Sequence, residues 1–224
     1  MAIDPFVACE ETVRKHDPDR YFAALFALEA RRRHLFALYA LYYELAHVLV
    51  AARQPMIADI RFAWWREAVE GARTGKPREH AVARALSETL SAFALPLDLF
   101  DQMIGGWSLS RETFATARKA EDNAEARVGA LMRLACLVLG CEIDVRDAAI
   151  AYAFAGQRHD GLSAIDTDGL AQAHYAAARR IQFPKAALPA VMPAGLVPLY
   201  LKNPAPALWR KQLAYLGIAF RGSL

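Results

Sequence analysis

Cysteine is scarce in this chain. Cys9, Cys136 and Cys141 are the only three in 224 residues, and none stands at a CxxC or His-paired spacing that would hold zinc. Cys136 and Cys141 sit in an apolar run and read as core thiols, so a reducing cytoplasm is the expected compartment. An excess of one charge is also lacking. Lys and Arg number 27 against 24 Asp and Glu, net +3, and the basic residues are scattered. No basic stripe with interleaved aromatics appears, which argues against a nucleic-acid binder; a mild affinity for anionic membrane surfaces remains open. The opening MAIDPFVACEE lacks the basic, apolar and small-residue order of a secretory signal. P-loop, GxGxxG and Ser-His-Asp patterns are absent, as are repeats and low-complexity tracts. No shift in composition divides residues 1–224, so one domain is expected.

What the chain has in abundance is apolar helix-forming sequence. Apolar residues make up 55% of it, dominated by Ala and Leu, whereas disorder needs low hydrophobicity and high net charge. A length of 224 residues suffices for a substantial buried core, one that has room for an apolar cavity. Residues 35–52, LFALYALYYELAHVLVAA, are long enough to cross a bilayer. Glu44 and His47 near their centre are expensive in lipid, so a buried core helix is expected instead. Helices are also predicted over 20–28, 56–73, 79–93, 97–104, 112–139, 145–157 and 168–182, with Pro55 closing the helix before it and Thr167 or Asp168 capping the last. Gly105-Gly106 is read as a helix break and Gly140 as a helix end. Residues 159–170 are the most loop-like stretch, and prolines from Pro184 to Pro206 separate short helices beyond it. The expectation is an all-α fold.

Three ordered segments resemble the squalene/phytoene synthase family. The first is DRYFAALFALEARRRHLFALYALYYELAHV (19–48) followed by IADIRFAWWREAVEG (57–71). The second is AEARVGALMRLACLVLG (124–140), and the third AARRIQFPKAALPAVMPAGLVPLYLK (177–202). The resemblance implies an isoprenoid-synthase fold, here shortened: a helical bundle around a deep apolar cavity. Active members condense two prenyl diphosphates, and Mg²⁺ held by aspartates on two facing helices neutralises the departing diphosphate.

This sequence departs from that pattern. The first acidic cluster falls on Ala46, His47, Val48, Leu49 and Val50, with Glu44 as the nearest acid. The second falls in AYAFAGQRHDGLSAIDTDG, which has no RDxxED-like run. Arg127 stands where the cavity-lining helix usually has a small residue. The first-helix pattern is similar to the branch of the family that assists assembly of respiratory complex I. The resemblance therefore implies a catalytically inactive protein: no catalytic residue, metal or cofactor, with complex I subunits or assembly intermediates as partners, or an isoprenoid or lipid in the cavity. It implies a cytoplasmic protein peripheral to the inner membrane. The rival reading is a Mg-dependent prenyltransferase with unusual ligands, Glu44 with Asp160, Asp166 and Asp168.

Tyr43, Glu44, His47, Arg61, Trp65 and Arg127 are the candidate cavity-wall ligands. Glu44 and His47 lie three apart and share a helix face, which fits either a head-group grip or a buried satisfied pair. Trp64 and Trp65 cannot face the same way, so one is expected in the core. Glu121, Asp122 and Glu125 read as a solvated face beside Arg118 and Lys119. Asp98 and Asp101 read as cap or surface residues, and His80, His159 and His174 as structural or solvated.

Overall fold

The computed structural model describes residues 4–52, 54–156 and 165–224. Thirteen α-helices order the described residues, and no strand is found among them. In chain order they are α1 (Pro5–His16), α2 (Pro18–Ala24), α3 (Glu29–Ala51), α4 (Pro55–Arg73), α5 (Ala81–Ala92), α6 (Leu97–Leu109) and α7 (Ala117–Ala124). There follow α8 (Ala130–Leu139), α9 (Arg146–Gly156), α10 (Thr167–Ala178), α11 (Leu188–Val191), α12 (Val197–Lys202) and α13 (Leu208–Arg221). The all-α expectation holds.

The central element is α3. Leu35 through Tyr42, together with Leu45 and Val48, are buried, so this helix is apolar nearly all round because helices surround it. It packs on α1, α2, α4, α5, α6 and α8. Among the described residues it is also the one helix long and apolar enough to span a bilayer, yet more than half of its apolar window lies inside the fold.

Local chemistry sets the helix ends. Asp4 accepts from the Phe6 N–H and Asp17 from the Arg20 N–H, while Pro5 and Pro18 occupy first-turn positions that need no donor. Gly140 ends α8 with φ 83°, the left-handed conformation glycine adopts without strain. Three expectations are corrected. Pro55 opens α4 rather than closing α3, which ends at Ala51. The α10 cap is Asp166, whose carboxylate accepts from Gly169 N–H at 3.0 Å, not Thr167 or Asp168. And α6 runs unbroken through Gly105-Gly106.

Gly106 has a packing role instead. A Cβ there would stand 2.7 Å from Arg127 Cγ and 3.1 Å from both Ala126 Cβ and the Arg127 backbone nitrogen. Two backbones meet at this point, where Gly106 O also accepts from Asn123 Nδ2 at 2.7 Å and Ser110 Oγ at 2.8 Å. Gly106→Ala gains about 1 kcal/mol of helix propensity but overpacks a rigid crossing at about 1–3 kcal/mol. Urea denaturation should therefore show a net destabilisation.

The predicted 112–139 helix begins later, at Ala117, and is interrupted by a π-helical turn at Glu125–Gly129. Such a turn admits one extra residue per loop and re-aims side chains within an otherwise straight helix. Arg127 is at its middle.

Candidate functional site

A cavity of about 460 Å³ opens between the start of α2, the C-terminal half of α3, α6, the π-turn, α9, α12 and α13. From α3 it is lined by Tyr42, Tyr43, Ala46, Leu49 and Val50. At 100° per residue these five share one face of the helix. Trp107 and Arg127 complete the wall on one side, Tyr152 and Tyr200 on another. The volume suits a small amphiphile.

Charge inside the wall is organised in three units. In the first, Arg20 is 1% exposed and pairs with Asp17 at 2.6 Å, its guanidinium 4.4 Å from the Tyr42 ring centroid. Burial pulls the Arg20 pKa down, but Asp17 and the surrounding tyrosines outweigh it and hold the arginine above its ordinary value.

The second unit is centred on Asp19, 4% exposed. Its carboxylate accepts from Lys211 Nζ at 2.8 Å, from Tyr152 Oη at 2.8 Å and from Tyr200 Oη. Lys211 also donates to Tyr200 Oη at 2.7 Å, and Tyr215 Oη donates to the Asp19 backbone carbonyl at 3.0 Å. Burial first, and the Asp19 charge next, push the pKa values of Tyr152, Tyr200 and Tyr215 up, so all three stay protonated donors.

The third unit is Arg127 alone. It is 1% exposed, its Nε donates to Asn123 Oδ1 at 2.8 Å, and its guanidinium lies 4.6 Å from the Trp107 ring centroid. Its Nη1 is buried without a hydrogen-bond partner, and no carboxylate among the described residues pairs with it. Burial pushes its pKa down, and Arg20 adds to that direction. Among the described residues, the wall and the side chains behind it hold three cations, Arg20, Lys211 and Arg127, against two carboxylates, Asp17 and Asp19, and Arg127 is the cation outside the two ion pairs.

The sequence-predicted residues divide between two places. Tyr43 and Arg127 line the central cavity, where Tyr43 stacks between His16 and His47 with centroids 4.2 and 5.6 Å away. Glu44, His47, Arg61 and Trp65 lie together in a second pocket of about 180 Å³, with Val48, Trp64 and His80. Glu44 and His47 do share a face, but that face turns toward α4. Trp65 is the core tryptophan and Trp64 the half-buried one. Asp17, Asp19, Arg20, Tyr152, Tyr200 and Lys211 were not singled out from sequence.

Other acidic candidates are engaged elsewhere. Glu121 and Glu125 form a network with Arg146, Arg133 and His174 that joins α7, the π-turn, α8, α9 and α10, so they are not the solvated face expected. Asp122 alone pairs with Arg118. His174 sits 2.7 Å from Asp147 as a bridge between helices. Asp98 lies in the first turn of α6 and meets Gln102. His159 and Asp160 lie outside the described residues. Among the described residues no group of three His, Cys, Asp or Glu side chains is placed to hold a metal ion.

The positions where the first acidic cluster would fall, Ala46 and Val50, face the cavity as apolar side chains. Glu44 is in the other pocket, and Asp166 is occupied as a helix cap. The described residues thus do not fit a magnesium ion held in the usual manner.

Residues 13–190 match the squalene/phytoene synthase family. Two solved structures share the fold. A dehydrosqualene synthase crystallised with a ligand is 14% identical, with 97% of this chain and 96% of that chain covered and a TM-score of 0.68. Squalene synthase HpnC from Alicyclobacillus acidocaldarius is 18% identical, with 97% and 94% covered and a TM-score of 0.63. No curated protein matches the sequence at a significant level.

Proposed function

The chain belongs to the squalene/phytoene synthase family, and from that premise we propose that it is a catalytically inactive member that binds an isoprenoid or lipid and serves as an interaction protein. Assembly of respiratory complex I is the setting, and complex I subunits or assembly intermediates are the partners. One observation carries the reading: among the described residues the cavity has a buried cation without an ion-pair partner, Arg127, and apolar side chains, Ala46 and Val50, at positions where the first metal-binding carboxylates would be needed. Diphosphate departure builds up negative charge beside an oily wall and calls for divalent cations. Here Asp17 and Asp19 are already neutralised by Arg20 and Lys211, and Ala46 and Val50 offer no ligand. A buried guanidinium with an unused donor instead favours one anionic group placed directly against it. The tail of such an amphiphile lies along Tyr42, Leu49, Val50 and Trp107. Protein, not metal, holds the head.

Calorimetric titration with farnesyl diphosphate, with and without magnesium, tests the binding half. The expected result is an affinity that magnesium does not raise, and no condensation product. Magnesium-linked binding with product formation would instead establish the prenyltransferase. Deletion of the gene, followed by native-gel analysis of NADH dehydrogenase, tests the partner half. Normal levels of the intact complex would remove the assembly role.

A further inference from the structure

The ridge of α13 that faces away from the core is apolar. Trp209, Leu213, Leu216 and Phe220 recur at intervals of four, three and four residues, which places them within a narrow stripe. They are 57%, 57%, 57% and 94% exposed. The opposite face of the same helix holds the buried Tyr215 and Ile218 and delivers Lys211 to Asp19. A helix anchored by its inner face and apolar on its outer one has an amphipathic pattern turned outward. The stripe continues onto the turn after α2, where Leu25, Phe26 and Leu28 are exposed and Leu25 and Phe26 share a cleft with Leu216.

Charge identifies what covers this surface. Residues 169–224 contain seven lysines and arginines and no aspartate or glutamate. Several of these cations gather at the end of α13. Arg179 and Arg221 both act on Tyr175, and Lys185 Cε comes within 4.0 Å of the Cβ position of Gly222. Phe220, the most exposed apolar side chain of the stripe, is the neighbour of Arg221. On the α2–α3 side Arg32 donates to the carbonyl oxygens of Leu25 and Ala27, beside the exposed turn. Aromatic and aliphatic side chains on an exposed ridge, bordered by more cations than acids, match the chemistry of an anionic bilayer surface. Such a ridge sinks into the head-group boundary while the basic side chains meet lipid phosphates.

We propose that the outer ridge of α13, with the Leu25–Leu28 turn, docks the protein on the surface of an anionic lipid membrane. Insertion is in the interface plane, and the docking is independent of what the central cavity holds. The test uses the full chain with sedimentable vesicles of zwitterionic phospholipid, alone or mixed with anionic phospholipid. The wild-type chain cosediments with the mixed vesicles and far less with the neutral ones. Leu213→Ser/Phe220→Ser, at exposed positions that touch neither the cavity nor the core, weakens partitioning roughly tenfold or more. Arg210→Glu/Arg221→Glu also weakens it, most strongly at low salt. A wild-type chain left in the supernatant with anionic vesicles overturns the proposal, as does a Leu213→Ser/Phe220→Ser variant that sediments like the wild type. So does light scattering showing a wild-type dimer that this double variant converts to a monomer, since the ridge then belongs to a second copy.

Discussion

Asp19→Ala lowers stability by about 3–5 kcal/mol, because it leaves a buried ammonium without its counter-ion. Lys211 would keep only Tyr200 as a partner, and Tyr152 and Tyr200 would both lose the acceptor of their hydroxyl protons. For a chain of this size the melting temperature falls on the order of 10 °C. Asp19→Asn keeps acceptor oxygen but not the charge and gives an intermediate loss. Tyr200→Phe, which removes one donor and leaves the ion pair, loses least. Urea midpoints for the three variants should fall in that order, and an Asp19→Ala midpoint equal to that of the wild type would show that the carboxylate does not hold the clasp.

Arg127→Met produces opposite changes in stability and binding. Methionine fills a comparable volume without a charge to desolvate, so the ligand-free protein gains about 1–2 kcal/mol. Any anionic ligand held by the unused guanidinium donor loses a charge-assisted hydrogen bond, about 10- to 100-fold in affinity. Chemical denaturation reads the gain, and calorimetry with farnesyl diphosphate reads the loss. A variant less stable than the wild type would mean that the Asn123 bond and the Trp107 contact outweigh burial of the charge. Unchanged affinity would move the head group away from Arg127.

Much of this was legible in the sequence, for reasons that differ by element. Buried helices such as α3 and α9 announce themselves through apolar, Ala-rich runs, and in α3 Glu44 and His47 weigh against a bilayer as the alternative to an interior. Gly140 was readable as a helix end because a positive φ there favours glycine alone. By contrast α1 carries five acidic or basic side chains in twelve residues, which hides the buried Phe6, Cys9 and Val13 stripe. Gly105-Gly106 looks like a break because propensity is local, whereas the reason for Gly106 is a neighbouring backbone twenty residues away in sequence. The π-turn leaves no mark in composition at all.

The site was half legible for a geometric reason. Tyr43 and Glu44 are adjacent but 100° apart around α3, so a list drawn from one segment straddles two pockets. Arg127 was found because its size and charge conflict with an expected small residue. Asp19 was missed because its meaning depends on Lys211, 192 positions away. No spacing rule connects residues that far apart.

That separation has a consequence for how the chain is made. Asp19 leaves the ribosome long before Tyr200, Lys211 and Tyr215 are synthesised. Until they arrive, the nascent chain can stack α3 against α1 and α5 through nearby contacts, but its carboxylate must remain hydrated. Completion of the cavity is therefore a late event, and a guest can be enclosed only once Tyr200 and Lys211 have joined Asp19.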